Sequence, residues 1–242
     1  MEEKEIIFGR NPVLEYLKSG KDIRGTLYIS EQAHGKIIDV IKEAARGRKV
    51  RVDVCSKDTL AKMHDGAGHQ GVILSIEGGT AAVDAGALMR RTVQNNGVLV
   101  LLDQLTDPHN VGAIIRTAEA LGAAGIVIPK AHAPELGQTV AKTSAGATAH
   151  IPVLIVPNAA RFIDEAKENG IWVIGSSDAA DTEISALSKI KPALLVIGSE
   201  GEGMRRLTAE KCDHVVRIPL KGKISSLNAS VAAGILLYEL LK

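Results

Sequence analysis

The chain has 242 residues, 45% of them hydrophobic and 24% charged, enough apolar material for one or two packed domains. Its 29 basic and 28 acidic side chains nearly cancel, which excludes a global basic field, so any nucleic-acid contact must be a local patch. Two Phe, one Trp and three Tyr argue against extensive base stacking.

Met1 to Ile7 is acidic and lacks an apolar core of signal-peptide type, and no run approaches membrane-spanning length; a cytoplasmic protein without membrane contact is expected. Asn11-Pro12 ahead of Val13, Leu14, Tyr16 and Leu17 predicts a capped helix with proline at its first position, ended by Gly20. A strand over Thr26 to Ile29 follows, then a helix over Ile37 to Ala45 with Ile37, Ile38 and Ile41 inward. Val50 to Val54 alternates as a strand, Leu60 to Met63 is a short helix and Val72 to Ile76 another strand. Residues 1–77 thus read as a small α/β domain. Arg46, Arg48, Lys49 and Arg51 make a local basic cluster, either a solvated surface or a phosphate contact. Residues 78–96 are small, polar and gapped, and are expected to be a linker with one short helix at Ala85 to Arg91.

Residues 97–242 open with Val98 to Leu102, an apolar run typical of a strand buried on both faces. Strands are expected at Ile126 to Ile128, Val153 to Val156, Trp172 to Ile174, Leu194 to Ile197 and Val215 to Ile218. Helices are expected at Val111 to Ala120, Leu136 to Lys142, Phe162 to Glu168, Met204 to Lys211 and Leu227 to Leu241. This alternation predicts a parallel sheet covered by helices, with ligands bound beyond the carboxyl ends of its strands. Cys55 and Cys212 fit no metal-ligand spacing, so reduced thiols and no metal are expected.

Three polar loops follow strands. In the first, Asp103 to Arg116, Asn110 is a good helix N-cap, Gly112 permits close approach and His109 could act as a base. Arg116 sits among Ile114, Ile115 and Ala118, where a guanidinium needs an anionic or hydrogen-bonding partner. The second, Gly198 to Arg205, is glycine-rich but not G-x-G-x-x-G, and its two glutamates would repel a pyrophosphate. An ion pair between Glu200 and Arg116 would fix the guanidinium. The third runs from the strand end at Ile218-Pro219 through Lys221 and Lys223 into a helix, with Asn228 and Ser230 in the first turn. Leu227, Val231, Ile235 and Tyr238 share one stripe at three- and four-residue steps, and Ala229, Ala232, Ala233 and Gly234 let another backbone pack close. By itself this stretch is an ordinary strand-to-helix turn or a binding loop. Residue-level physics ends at an α/β domain with an anion-tolerant pocket of unstated chemistry.

In order and spacing the three loops resemble the signature motifs of the SpoU (TrmH-like) RNA 2′-O-ribose methyltransferases. The residues concerned are Asn110-x-Gly112-x-x-x-Arg116, Ile197-Gly198-Ser199-Glu200-Gly201-x-Gly203, Ile218-Pro219-Leu220-x-Gly222 and Ser226-Leu227-Asn228-Ala229-Ser230-Val231-Ala232. Phe8-Gly9-Arg10-Asn11-Pro12-Val13 and His69-Gln70-Gly71 are similar to the substrate-binding domain of one subgroup, whose enzyme methylates a guanosine of 23S rRNA. Leu220 and Ala229 stand where methionine and valine are common, both apolar exchanges. The resemblance implies an α/β architecture with a trefoil-knotted parallel-sheet methyltransferase domain preceded by a small α/β (L30e-like) domain. It implies S-adenosyl-L-methionine as cofactor, contacted through backbone at Gly198, Ile218 and Leu227, and a homodimer acting on RNA. It makes Arg116 the catalytic arginine, supported by Asn110, Glu200, Ser226 and Asn228. Arg10, Arg46, Arg48, Lys49, Arg51, Lys221 and Lys223 would hold RNA. A tRNA methyltransferase and a non-catalytic RNA-binding factor of the same fold are the alternatives.

Overall fold

The computed structural model describes residues 5–20, 22–64, 67–76, 83–131, 138–223 and 226–242. The expected linker residues 78–82, the helix start at Leu136 and the first four residues lie outside that set. The chain divides into two compact units, one formed by residues 1–82 with 137–150, the other by 83–136 with 151–242.

The first unit contains β1 (Glu5–Phe8), α1 (Arg10–Lys18), β2 (Gly25–Ser30), α2 (Lys36–Gly47), β3 (Arg51–Cys55), α3 (Lys57–Met63) and β4 (Val72–Ile76). Its sheet runs β1-β4-β2-β3, with β4 antiparallel to both neighbours and β3 parallel to β2. Strand alternation sorts the core. Leu27, Ile29, Val72 and Leu74 pack with Val13, Leu17, Ile38 and Ile41 of α1 and α2, while Phe8, Leu60 and Ile73 meet on the other face. β1 was not expected, because Ile6-Ile7-Phe8 is too short a run to stand out beside an acidic start. The first helix also begins earlier than expected, at Arg10 with Gly9 before it, so Pro12 occupies the third position.

The second unit begins at Val83 and so takes in the later part of the expected linker. Asp84 caps α4 (Ala85–Gln94), accepting the Ala87 N–H at 2.6 Å, and Leu88 and Met89 enter the core. Then come β5 (Val98–Leu102), α5 (Pro108–Ala120) and β6 (Gly125–Pro129). α6 (Gln138–Thr143) and the turn Ala147–Ala149 belong to the first unit. The second unit resumes with β7 (Val153–Val156), α7 (Ala159–Glu168), β8 (Trp172–Ser176), β9 (Thr182–Glu183), β10 (Ala193–Ile197), α8 (Arg206–Lys211), β11 (His214–Arg217) and α9 (Ala229–Leu241).

Every pairing in its sheet, ordered β7-β6-β5-β10-β8-β11-β9, is parallel, as the strand–helix alternation predicts. β5, β6 and β10 are buried at every position. α4 and α7 cover one face through Leu88, Phe162, Ile163 and Ala166. α5 and α9 pack against each other; α9 buries Ala229, Ala233, Leu236, Leu237 and Leu240. The stripe of Val231, Ile235 and Tyr238 lies on the outer side instead, 50%, 41% and 60% exposed. α9 is apolar on nearly all sides, so periodicity could not tell the core face from the outer one. Ala233, Leu236, Leu237 and Leu240 take the core side, and Gly234 lies on the groove side near the Thr117 methyl of α5.

Candidate active site

The site is built at the carboxyl ends of β5, β10 and β11. After β5, Asp107 caps α5, its Oδ1 accepting the His109 N–H at 3.0 Å, with Pro108 at the helix start. Sequence reasoning put the cap at Asn110. Proline's fixed φ starts the helix three residues earlier, and the Asn110 side chain is thereby released from capping. His109 is exposed.

After β10 the chain folds into a tight turn. Ser199 and Gly203 exchange backbone hydrogen bonds at 3.0 Å in both directions, and Gly201 and Gly203 take φ of 92° and 69°. Gly198 has no room for a side chain: a Cβ would lie 2.2 Å from the Gly203 carbonyl carbon. The turn carries Glu200 at its tip. After β11, Asn228 caps α9, its Oδ1 accepting from Ser230 N at 3.0 Å and Ser230 Oγ at 2.6 Å.

The three loops meet at one carboxylate oxygen. Glu200 Oε1 accepts from Asn110 Nδ2 at 3.2 Å, Asn228 Nδ2 at 2.5 Å and Ala229 N at 2.9 Å. Asn228 Nδ2 also donates to Asn110 Oδ1 at 3.0 Å. Glu200 thus places a negative charge at the first turns of two helices, where unpaired N–H groups and the macrodipole favour it. Both N–H bonds of the Asn228 amide are consumed, and its oxygen is occupied by the helix start. Asn228 therefore orients the cluster, whereas Asn110 keeps one N–H and Glu200 one oxygen free of the contacts just described.

Arg116 stands apart from this cluster. It is exposed, forms no ion pair among the described residues, and the expected Glu200–Arg116 pair is absent among them. Helix geometry explains the separation. Six residues past Asn110 is a rise of about 9 Å and a position roughly 120° around α5. Ala113 and Thr117 of the same helix, with Ser230, Val231, Gly234, Ile235 and Tyr238 of α9, line a groove of about 480 Å³. Ser226, Lys221 and Lys223 are exposed, and Ile218 and Leu227 half-buried, on the segment joining β11 to α9.

The basic residues of the first unit do not form one patch. Register places Arg51 beside Thr26 and Gly25 beside Ile76, whereas Phe8 and Ser30 end at the opposite edge. Arg10, just past Phe8, therefore follows the strand end opposite to the one that carries Arg51, and β1 and β3 are the two outer strands of the sheet. Arg10 donates through Nε to the Gln70 carbonyl at 3.2 Å, joining the two motifs singled out in this unit. Arg51 is paired with Asp53 at 2.9 Å, a hydrogen bond that raises its pKa above the usual value. Arg46 and Lys49 are exposed; Arg48 ends α2.

Sequence reasoning missed Asp103 and Arg205. Asp103 is 0% exposed, and its carboxylate takes the Arg205 N–H at 2.9 Å and Nε at 2.8 Å. The available signal was a carboxylate directly after the buried run Val98 to Leu102. Among the described residues no cluster of His, Cys, Asp and Glu could hold a metal, and no helix is long and apolar enough to cross a membrane. Both cysteines are free.

Two family profiles match, one described as the SpoU rRNA methylase family over residues 97–238, the other as RNA 2′-O ribose methyltransferase substrate binding over residues 6–80. YacO of Bacillus subtilis, assigned to the TrmH family of tRNA/rRNA methyltransferases, is 42% identical over 98% of this chain and 95% of its own. A Staphylococcus aureus protein of the same assignment is 40% identical over 99% and 96%. Among solved structures, the SpoU methyltransferase AviRb of Streptomyces viridochromogenes superposes with a TM-score of 0.81 at 27% identity, covering 98% of this chain and 88% of that one. A second AviRb structure, in complex with the cofactor AdoMet, gives 0.80 at 28% identity over 98% and 89%.

Proposed function

Because this chain belongs to the SpoU family of S-adenosylmethionine-dependent RNA methyltransferases, we propose that its acceptor is a ribose 2′-hydroxyl, on a guanosine of 23S rRNA. The observation that carries this reading is the meeting of three sequence-distant loops at Glu200 Oε1, beyond the carboxyl ends of a parallel sheet.

S-adenosylmethionine supplies a methyl group on a sulfonium, open to in-line attack by an oxygen. The strand ends suit this ligand. The N–H groups of Gly198, Ile218 and Leu227 donate to no backbone carbonyl among the described residues, which leaves them for the acceptors of an adenosine. In this reading those three residues hold the cofactor, with the chain threaded into the trefoil that the family likeness implies. Glu200 and Asn228 lock the loops, and Asn110 and Ser226 present polar groups to the ribose. Alignment of hydroxyl, methyl and sulfur is then the main contribution to rate. Arg116 takes the phosphate beside the target nucleotide and stabilises the developing alkoxide. A guanidinium stays protonated at working pH, so the hydroxyl proton leaves to solvent rather than to Arg116.

The exposed face of α9, with Val231, Ile235 and Tyr238 beside Ala113 and Thr117, supports a homodimer through this groove. Arg116 flanks the groove and would then lie beside the interface.

The test is methyl transfer by the purified protein to transcripts of 23S rRNA segments and to tRNA, with the modified position read by resistance of the 3′ phosphodiester to alkali. Resistance at one rRNA guanosine is expected. Methylation of a base refutes the ribose assignment, and transfer to tRNA alone selects the tRNA enzyme. Arg116→Lys should lower turnover about 10²-fold; near wild-type turnover would remove the role given to its fork.

A further inference from the structure

We propose that Asp103 and Arg205 are positioning residues for methyl transfer, a clamp that sets the cofactor loop from both ends. This rests on the reading of Gly198 and Glu200 given above. Asp103 is the one carboxylate among the buried described residues. Its backbone N–H donates to the Ile197 carbonyl at 2.8 Å, the last residue before the Gly198 to Met204 turn. Its side chain takes Arg205, the first residue after that turn: Oδ2 accepts the backbone N–H at 2.9 Å and Oδ1 accepts from Nε at 2.8 Å and Nη2 at 2.5 Å. One residue therefore holds both ends of a seven-residue loop. The loop closes on itself through Ser199 and Gly203 and delivers Glu200 to Asn110, Asn228 and Ala229.

The chemistry of the pair favours a geometric role. An ion pair whose carboxylate is buried and whose guanidinium is 34% exposed is a weak source of stability, since desolvating the carboxylate offsets much of the attraction. Here Nε and Nη2 of one rigid, planar guanidinium converge on Oδ1 while Oδ2 holds the backbone N–H, so three donors from one residue fix the direction of the carboxylate. Asp103 also opens the segment that leads to Asn110, so one buried residue sets two of the three loops relative to each other. Misplacement of a reacting group by about 1 Å can cost about 10²-fold in rate.

The test uses the full chain carrying Arg205→Lys, which keeps the charge and loses the fork, and separately Asp103→Asn. Readouts are S-adenosylmethionine affinity by calorimetry, KM and kcat for the methylated transcript, RNA affinity and the unfolding transition. Arg205→Lys should weaken cofactor affinity about 10-fold and lower kcat at saturating cofactor about 10²-fold, with RNA affinity within about twofold. Both losses should persist at temperatures well below the unfolding transition. Wild-type cofactor affinity and kcat in folded Arg205→Lys would overturn the proposal, as would losses recovered in full on cooling. If Asp103→Asn does not fold, Arg205→Lys decides alone. Should the wild-type protein bind S-adenosylmethionine yet methylate neither RNA class, the function reading fails, and the affinity arm still judges the clamp.

Discussion

Replacing Gly198 by alanine tests how the cofactor loop is built. The added Cβ would stand 2.2 Å from Gly203 C, 2.3 Å from Met204 N and 2.6 Å from Gly203 O. All three are backbone atoms, so no side chain can rotate away and the returning arm of the turn must shift by about 1 Å. Overpacking of this kind costs about 1–3 kcal/mol. The shift also strains the Ser199–Gly203 hydrogen-bond pair, worth about 1 kcal/mol per bond. A loss of about 3 kcal/mol corresponds to a fall of roughly 6–12 °C in the unfolding transition of a unit this size. Because Glu200 sits at the tip of the displaced turn, affinity for S-adenosylhomocysteine should fall as well, about tenfold or more. Calorimetric unfolding and titration of the purified variant measure both. An unchanged transition with unchanged affinity would refute the close approach on which this account of the loop depends.

Four further outcomes are expected. Burial pushes the Cys212 thiol up to about 12, so at pH 8 about one molecule in 10⁴ is a thiolate; a thiol reagent should modify Cys212 in the native protein far more slowly than in denaturant. Burial by itself would raise the Asp213 carboxyl, but the Lys167 Nζ at 2.6 Å and the Val173 N–H at 2.9 Å outweigh it and hold the group below its usual value. Its stabilisation is then complete above the unfolded value of about 3.9 and is lost as pH falls through the lower folded value; the stability gap to Asp213→Asn should be constant from pH 7 to 5 and shrink below about pH 4. Changing Lys221 and Lys223 together to glutamine should weaken RNA binding across sequences and reduce the salt slope by about 2, measured by filter binding at several salt concentrations. Tyr238→Glu should shift sedimentation toward a monomer if the outer face of α9 is the self-association surface; unchanged sedimentation of a dimer would place that interface elsewhere.

Much of the site was legible because glycine and asparagine leave strong local marks. The turn after β10 needs residues that tolerate positive φ and close backbone approach, and Gly198, Gly201 and Gly203 announce it. The parallel sheet was legible for a similar reason, since strands buried on both faces read as unbroken apolar runs, as in Val98 to Leu102. The failures share a cause as well. Asn110 and Asp107 are both good caps, and local preference could not say that Pro108 would hand the role to Asp107. On α9 both faces are apolar, so the outer stripe of Val231, Ile235 and Tyr238 could not be told from the core stripe. Arg116 was expected at Glu200 because a guanidinium among Ile114, Ile115 and Ala118 needs an anionic partner, yet six residues of helix carry it away from Asn110 and it faces solvent instead.

From its sequence alone the chain determines two α/β units, a parallel sheet in the second and the identity of three polar loops, because periodicity and turn chemistry are local properties. Only the tertiary structure decided that Glu200 joins two helix starts, that Asp103 holds both ends of one loop, and that Arg116 faces solvent beside a groove. The first two are contacts between residues 28 to 118 positions apart, and hydrogen-bond partners at such range are selected by how strands and helices pack, which no local pattern encodes.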